Sequence, residues 1–425
     1  METVYNRRVI DEVLDGLLPY APAIAIEGAK AVGKTATALQ RAHDVLRLTR
    51  SIDMERVQGN VEGEIDSLHT LLIDEWQLYP PIWDAVRHSV DEDRRGGRFL
   101  LTGSAGPTRN VRIHSGAGRI LRMRLRPLSF FERGICPPTV SMNELVSGRR
   151  EKIKGVANCG LSTYVEEIIQ SGFPGMRDLP HEVRLAELDG YIERICDHDM
   201  TETGHTVRRP QALRKWMEAY AAASSTTAGY SEILDAATPG ESNKPSKSAA
   251  LEYRETLERI FILDPIPGWS PALAPLSRAT QSPKHQMVDP AIAARLMKID
   301  EEALLAYEGG TFTPKDGSLL GLLFESLVTL SVRVMIEPLR AHLYHLRTKG
   351  GRQEIDLIVE LDNRKVLPIE VKMKEAVDDR DVRHLHWLED RIGDRVADKV
   401  VVTTGRHAYR RQDGVAVVPL ALLGP

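Results

Sequence analysis

A chain of 425 residues exceeds what one hydrophobic core usually holds, so about two to four domains are expected. Its apolar fraction of 42%, charged fraction of 27% and formal net charge of −4 exclude an intrinsically disordered chain and a wholly basic nucleic-acid coat. Three cysteines without metal-ligand spacing or a disulfide framework, and no apolar run of about 18 residues, point to a cytoplasmic setting without membrane insertion.

The amphipathic opening METVYNRRVIDEVLDGL reads as a helix and not as a signal peptide. Pro22 to Glu27 reads as a buried strand feeding a glycine loop, and Thr35 to Leu48 as the helix behind it. A second strand, Thr70 to Ile73, ends in acids; a helix over Ile82 to Asp93 and a third strand, Phe99 to Thr102, follow. This alternation predicts an α/β unit with a parallel sheet over residues 1–150. Residues 151–204 carry helical periodicity broken at Gly172-Phe173-Pro174 and read as a small, lid-like helical unit. Three helical stretches over 205–275, ending in the strand-like RIFILD, give a winged-helix-like pattern. A proline- and serine-rich connection from Pro265 to Lys284 leads to a last unit, 285–425. There the order is helix (Leu319 to Val334), strands near 342–346, 353–360 and 365–371, helix (Asp379 to Arg391) and a strand at 399–404.

Gly28-Ala29-Lys30-Ala31-Val32-Gly33-Lys34-Thr35 fits G-x-x-x-x-G-K-[ST] and lies between a buried strand and a helix. The glycines let several amides face phosphates, Lys34 neutralises the β and γ oxygens, and the Thr35 hydroxyl ligates magnesium. Asp74 and Glu75 close the second strand, where Asp74 would hold magnesium and Glu75 polarise the attacking water. Ser104, just past the third strand, is placed to sense the γ-phosphate. ATP and Mg2+ are therefore the expected cofactors. Arg119 is the candidate for neutralising transition-state charge, within the chain or across the interface of a homo-oligomer. Because Arg122, Arg124 and Arg126 alternate beyond it, a solvated basic face is the competing reading.

The segments EGAKAVGKT, LLIDEWQ, LLTGS, GRILRMRLRPLSFFE and SGFPG together resemble a bacterial and archaeal AAA-type ATPase family. Its members join an N-terminal P-loop domain to a C-terminal domain long described only as of unknown function. The resemblance implies a winged-helix module followed by a nuclease-like domain. This chain departs from the family pattern at Lys30, usually arginine, and at Trp76, usually a smaller residue.

Glu354-Ile355-Asp356-Leu357 and Ile369-Glu370-Val371-Lys372 lie on successive predicted strands. Strand alternation puts Glu370 and Lys372 on one face, and with Asp356 opposite, two carboxylates could hold magnesium against a phosphodiester while Lys372 orients the water. Glu325, on the preceding helix, would complete the metal shell. These positions resemble the PD-(D/E)xK endonuclease core, which either cleaves nucleic acid, DNA ahead of RNA, or only binds it. An exposed hairpin with cross-strand ion pairs is the alternative. Arg347, Lys349, Arg352 and Lys374 would add positive charge near this site. His205, Arg208, Arg209, Arg214 and Lys215 either contact DNA or form a solvated helix face. His384 and His386 lack zinc spacing.

Overall fold

The computed structural model describes residues 5–104, 116–200, 209–238, 245–270, 282–309, 318–348 and 350–425. Its first part runs α1 (Val9–Leu17), β1 (Ala23–Glu27), α2 (Lys34–Leu39), β2 (Asp44–Arg47), α3 (Ser51–Gly59), α4 (Val61–Ile65), β3 (Leu71–Asp74), α5 (Pro81–Glu92), β4 (Phe99–Gly103) and β5 (Ile120–Arg124). The five strands form one parallel sheet in the order β2-β3-β4-β1-β5. A parallel sheet covered on both faces needs strands apolar throughout, which Ala23-Ile24-Ala25-Ile26 and Leu71-Leu72-Ile73 supply. Helix α5 seals one face with Ile82, Trp83, Val86 and Val90.

One feature of this part departs from the sequence expectation. The helix behind the glycine loop ends at Leu39, and Asp44–Arg47 turns outward to pair with β3 as an edge strand. Val45 and Leu46 fit either period in so short a window, and pairing them satisfies the outer edge of β3. The acid-bearing strand β3 is not adjacent to β1, because β4 lies between them.

The middle of the chain contains β6 (Val140–Ser141), α6 (Met142–Ser147), β7 (Gly155–Val156), α7 (Leu161–Ile169), α8 (Pro174–Arg177) and α9 (His181–Arg194), which runs into a π turn at Ile195–Asp199. Helices α10 (Pro210–Ala222), α11 (Tyr230–Ala237) and α12 (Lys247–Arg259) follow. RIFILD does not form a strand: Phe261 adopts φ 63°, and only isolated antiparallel bridges, Leu263 with Met287 and Ile266 with Lys284, appear. Helix α13 (Pro290–Leu296) starts at Asp289, whose carboxylate accepts from the amide of Ala291, with Pro290 in the first turn. The other Asp289 oxygen accepts from the Gly172 amide at 2.6 Å and so locks the Gly172-Phe173-Pro174 break in place.

The last part comprises α14 (Glu301–Gly309), α15 (Leu319–Met335), β8 (His342–Arg347), β9 (Glu354–Glu360), β10 (Val366–Lys372), α16 (Asp379–Ile392), β11 (Val400–Thr403), β12 (His407–Arg410), β13 (Ala416–Pro419) and β14 (Leu423–Gly424). Its seven-stranded sheet has the order β7-β12-β13-β11-β10-β9-β8. The expected boundaries at 150 and 285 are crossed by this packing. Strand β7 adds to the edge of the C-terminal sheet, β6 pairs with β14, and α13 packs on α7, α9 and α10. One apolar cluster accordingly runs from Ile10 to Leu423.

Candidate functional site

The loop between β1 and α2 folds back on itself because of its glycines. A Cβ on Gly28 would lie 2.2 Å from the Leu125 carbonyl oxygen, and Gly33 holds φ 102° as the residue before α2. Even Ala31 is held at φ 63°. At the base of the loop Lys34 is only 4% exposed, and its ammonium donates to the carbonyls of Gly28 and Ala29 at 2.9 and 2.8 Å. Burial pulls its pKa down to about 8, against the opposing pull of Glu75 and Asp74.

Thr35 Oγ1 donates to Asp74 Oδ1 at 2.7 Å, and Thr102 Oγ1, from the intervening β4, donates to the same oxygen at 2.6 Å. The strand between β1 and β3 thus contributes the hydroxyl that orients Asp74. Glu75 sits at φ 57°, a left-handed conformation that costs about 1–3 kcal/mol in a non-glycine residue. Its carboxylate accepts from Ser104 Oγ at 3.2 Å and from the Gln77 amide, which also donates to Ser104 at 3.3 Å. Lys34, Thr35, Asp74, Glu75 and Ser104 therefore converge on one place. Gln77 was not singled out from the sequence, because a lone amide two residues past an acid carries no pattern.

Other parts of the loop are held by the helical middle. Lys30 Nζ reaches Asp199 at 2.6 Å, and Tyr191 donates to the Lys30 carbonyl at 3.2 Å. Pro174 Cγ lies 3.7 Å from where a Gly33 side chain would begin. Arg8, also unforeseen, donates to the Val32 carbonyl at 3.3 Å and pairs with buried Glu132 at 3.0 Å. Glu132 in turn accepts from the amides of Val9 and Ser129, which explains the LSFFE segment: it ties the first helix to the loop. Arg119 bonds Asp91 at 2.8 Å on the surface. Arg124 and Arg126 do not form a solvated face. Both bond Asp264, at 2.9 and 2.8 Å, and Arg333 of α15 joins them. Burial pushes the Asp264 carboxyl up, but the three arginines outweigh it and hold the group well below the usual carboxylate range.

A second cluster lies in the C-terminal part, at a cavity of about 1330 Å3 between α10–α11 and the seven-stranded sheet. Lys372 bonds Glu370 at 2.7 Å and lies 3.8 Å from Asp356, whose Oδ2 accepts from the Val371 amide at 2.9 Å. Glu325 also points here. Between Glu325 and Asp356, however, stands Lys284, bonded to them at 2.7 and 3.2 Å. Burial favours the neutral form of Asp356, but Lys284, Lys372 and the Val371 amide reverse this and bring its pKa to about 2. Lys284 is 41 and 72 residues from these partners, a separation no local motif reveals.

The flanking cations are mostly engaged. Lys374 pairs with Asp378 and Asp381, and Arg347 with Glu354 and Thr227. Lys349, His205 and Arg208 lie outside the described residues, whereas Arg214 pairs with Glu218 at 3.5 Å. His384 meets Gln353, and His386 meets Asp413.

Residues 20–133 match the family model of an AAA domain. The matched stretch takes in the phosphate loop, the Asp74–Glu75 pair and the LSFFE segment, and it contains all five strands of the parallel sheet. Residues 161–303 match a domain of unknown function (DUF8612), and residues 320–423 match another (DUF4143). The first of these includes α13, in agreement with its packing on α7 and α9. Over 406 residues the chain is 23% identical to an uncharacterized protein of Mycobacterium tuberculosis and to one of Mycobacterium bovis, covering 94% of this chain and 80% of each relative. Among solved structures, the Walker-type ATPase PABY2304 of Pyrococcus abyssi is similar at 16% identity and a TM-score of 0.39, over 69% of this chain and 96% of that one. No helix among the described residues is long and apolar enough to cross a membrane.

Proposed function

We propose that this protein is a magnesium-dependent ATP hydrolase whose nucleotide state is transmitted to its C-terminal sheet. The observation that carries the reading is the 2.7 Å contact between Thr35 and Asp74, which joins the phosphate loop to an acid two strands away. A magnesium ion fits there: it needs only one or two protein oxygens and takes its remaining ligands from water and phosphate. When bound, it would neutralise the charge between the β- and γ-phosphates.

The protein's own residues would do the rest. Lys34 would leave the Gly28 and Ala29 carbonyls for the phosphate oxygens, and the freed loop would turn its amides toward the triphosphate. Thr35 and Asp74 would hold the metal, and Glu75 would orient the attacking water and accept its proton. Ser104 and Gln77 fix Glu75 before the nucleotide arrives, so their bonds would report the γ-phosphate to β4. Arg119, tied to Asp91, would need to be freed or supplied by a neighbouring copy to act as a finger. Transmission is supported by a continuous polar chain. Arg8 links the loop to Glu132, the Phe130 amide donates to Ser331, and Arg126 reaches Arg333 through Asp264, both Ser331 and Arg333 lying on the helix that carries Glu325. The test is phosphate release with and without magnesium in the native protein and Lys34→Ala: release confined to the native protein with magnesium is expected, and equal rates would remove the reading.

For the C-terminal cluster, the presence of Lys284 among the acids favours nucleic-acid binding without cleavage over a nuclease. DNA is the proposed partner, in the cytoplasm. Duplex binding that weakens steeply with salt is expected, and the absence of binding at low salt would remove this reading.

A further inference from the structure

Glu325 on α15 and Asp356 on β9 line the C-terminal cavity, and Glu370 on β10 lies behind them, joined to Asp356 through Lys372. In a metal-dependent phosphodiesterase, oxygens placed like these would share a divalent cation, whose shell takes about six oxygens. Here the oxygens that face one another are already bridged. Glu325 Oε1 and Asp356 Oδ1 both accept from the Lys284 ammonium, and Asp356 Oδ2 accepts from the Val371 amide. Glu370 gives one oxygen to Lys372, and burial together with the adjacent Asp356 carboxylate pushes its carboxyl well above the usual carboxylate range, so its remaining oxygen is a poor ligand. One oxygen does not make a metal site, and among the described residues no group of three acidic, histidine or cysteine side chains is placed to hold an ion.

The backbone that carries Lys284 is also anchored. Its amide donates to the Ile266 carbonyl at 2.9 Å and its carbonyl accepts from the Ile266 amide at 2.8 Å, a two-bond bridge that fixes its backbone. The next residue is tied as well, since the His285 amide donates to the Thr226 carbonyl at 2.8 Å. The lysine is 1% exposed, and its ammonium is held at the cavity wall by the carboxylates of Glu325 and Asp356. A dication set between Glu325 and Asp356 would have to share their oxygens with an ammonium in van der Waals contact, and like charges at that distance in a buried site exclude one another.

We propose that Lys284 is a built-in cation that takes the place of the metal, so that the C-terminal carboxylate cluster is closed to divalent ions and the cavity beside it works without metal. Lys284 is thus a positioning residue that holds α15 against β9 by the bond pair a metal would otherwise make. The inference deepens the non-cleaving reading of the C-terminal part and does not depend on ATP hydrolysis.

The experiment is a manganese titration of the full, nucleotide-free chain, with free Mn2+ followed by electron paramagnetic resonance. The native protein and Asp356→Asn should give superimposable curves up to about 1 mM, the weak end for carboxylate sites of hard dications. Lys284→Met, with Lys284→Gln as a second variant in case the first is unstable, should gain one ion per chain, and Lys284→Met/Asp356→Asn should lose it. An ion in the native protein that disappears in Asp356→Asn or Glu325→Gln overturns the proposal, as does the absence of a gained ion in a folded Lys284 variant. The comparison of native protein with Asp356→Asn or Glu325→Gln needs no lysine variant. Short-duplex binding in the presence of a chelator is scored separately: its absence removes the nucleic-acid reading and leaves the role of Lys284 standing.

Discussion

Raising the pH should weaken nucleotide binding by a predictable factor, because the charge that meets the phosphates sits on a buried amine. Burial brings Lys34 to about 8, below its ordinary value of 10.5, with Glu75 and Asp74 opposing the shift. Phosphate favours the ammonium form, so the free protein must take up a proton in proportion to its neutral fraction. With a pKa near 8 the protonated fraction falls about tenfold between pH 7 and pH 9, equivalent to about 1.4 kcal/mol of affinity. The terminal phosphate of ATP is largely ionised by then, with its second pKa at about 6, and contributes little. The loss is not one of stability. A lysine whose folded-state value is lowered penalises the fold fully below about 8, and the penalty is relieved as pH rises through 8 toward 10.5, so on Lys34's account the free protein becomes more stable over the same window. The assay is calorimetric titration with a non-hydrolysable ATP analogue and magnesium at pH 7, 8 and 9, in two buffers of different ionisation enthalpy to count protons. A flat affinity in the native protein, or the same slope in Lys34→Ala, would refute the reasoning.

Glu75→Gln should lower turnover about 10²–10⁴-fold, the range for a lost general base, while leaving analogue affinity nearly unchanged; a rate within about threefold of native would remove Glu75 from the chemistry. Gly28→Ala should abolish analogue binding by driving a methyl group into the Leu125 carbonyl, 2.2 Å away, and retained native affinity would contradict the loop geometry. Asp264→Asn should lower unfolding stability by about 3–5 kcal/mol in urea melts, because it leaves Arg124, Arg126 and Arg333 buried without their counter-charge. A change under about 1 kcal/mol would mean those arginines find water or other partners.

What the sequence made legible follows from how local each signal is. The phosphate loop occupies eight consecutive residues, and glycine spacing carries its geometry, so it could be read directly. In the C-terminal part the expected strands at 342–346, 353–360 and 365–371 appear within about a residue of those bounds, because alternation and turn residues mark them. Asp44–Arg47 was read as helix because its two apolar residues fit either period. The bridge made by Lys284, the pairing of Arg8 with Glu132, and the arginines gathered on Asp264 join residues 41 to 140 apart. Such contacts are fixed by packing, and no spacing rule precedes them. The same holds for β7, two residues whose edge position is decided by β12, about 250 residues later.

On the proposed function, residues 28–35 enclose a triphosphate whose metal is held by Thr35 and Asp74. A crystal structure with magnesium and a non-hydrolysable ATP analogue tests it most directly. The β- and γ-phosphates should lie within hydrogen-bond reach of the loop amides and Lys34, with the metal against Thr35 and Asp74. Density for the analogue in the cavity beside Lys284 and Asp356, with the phosphate loop empty, would contradict it.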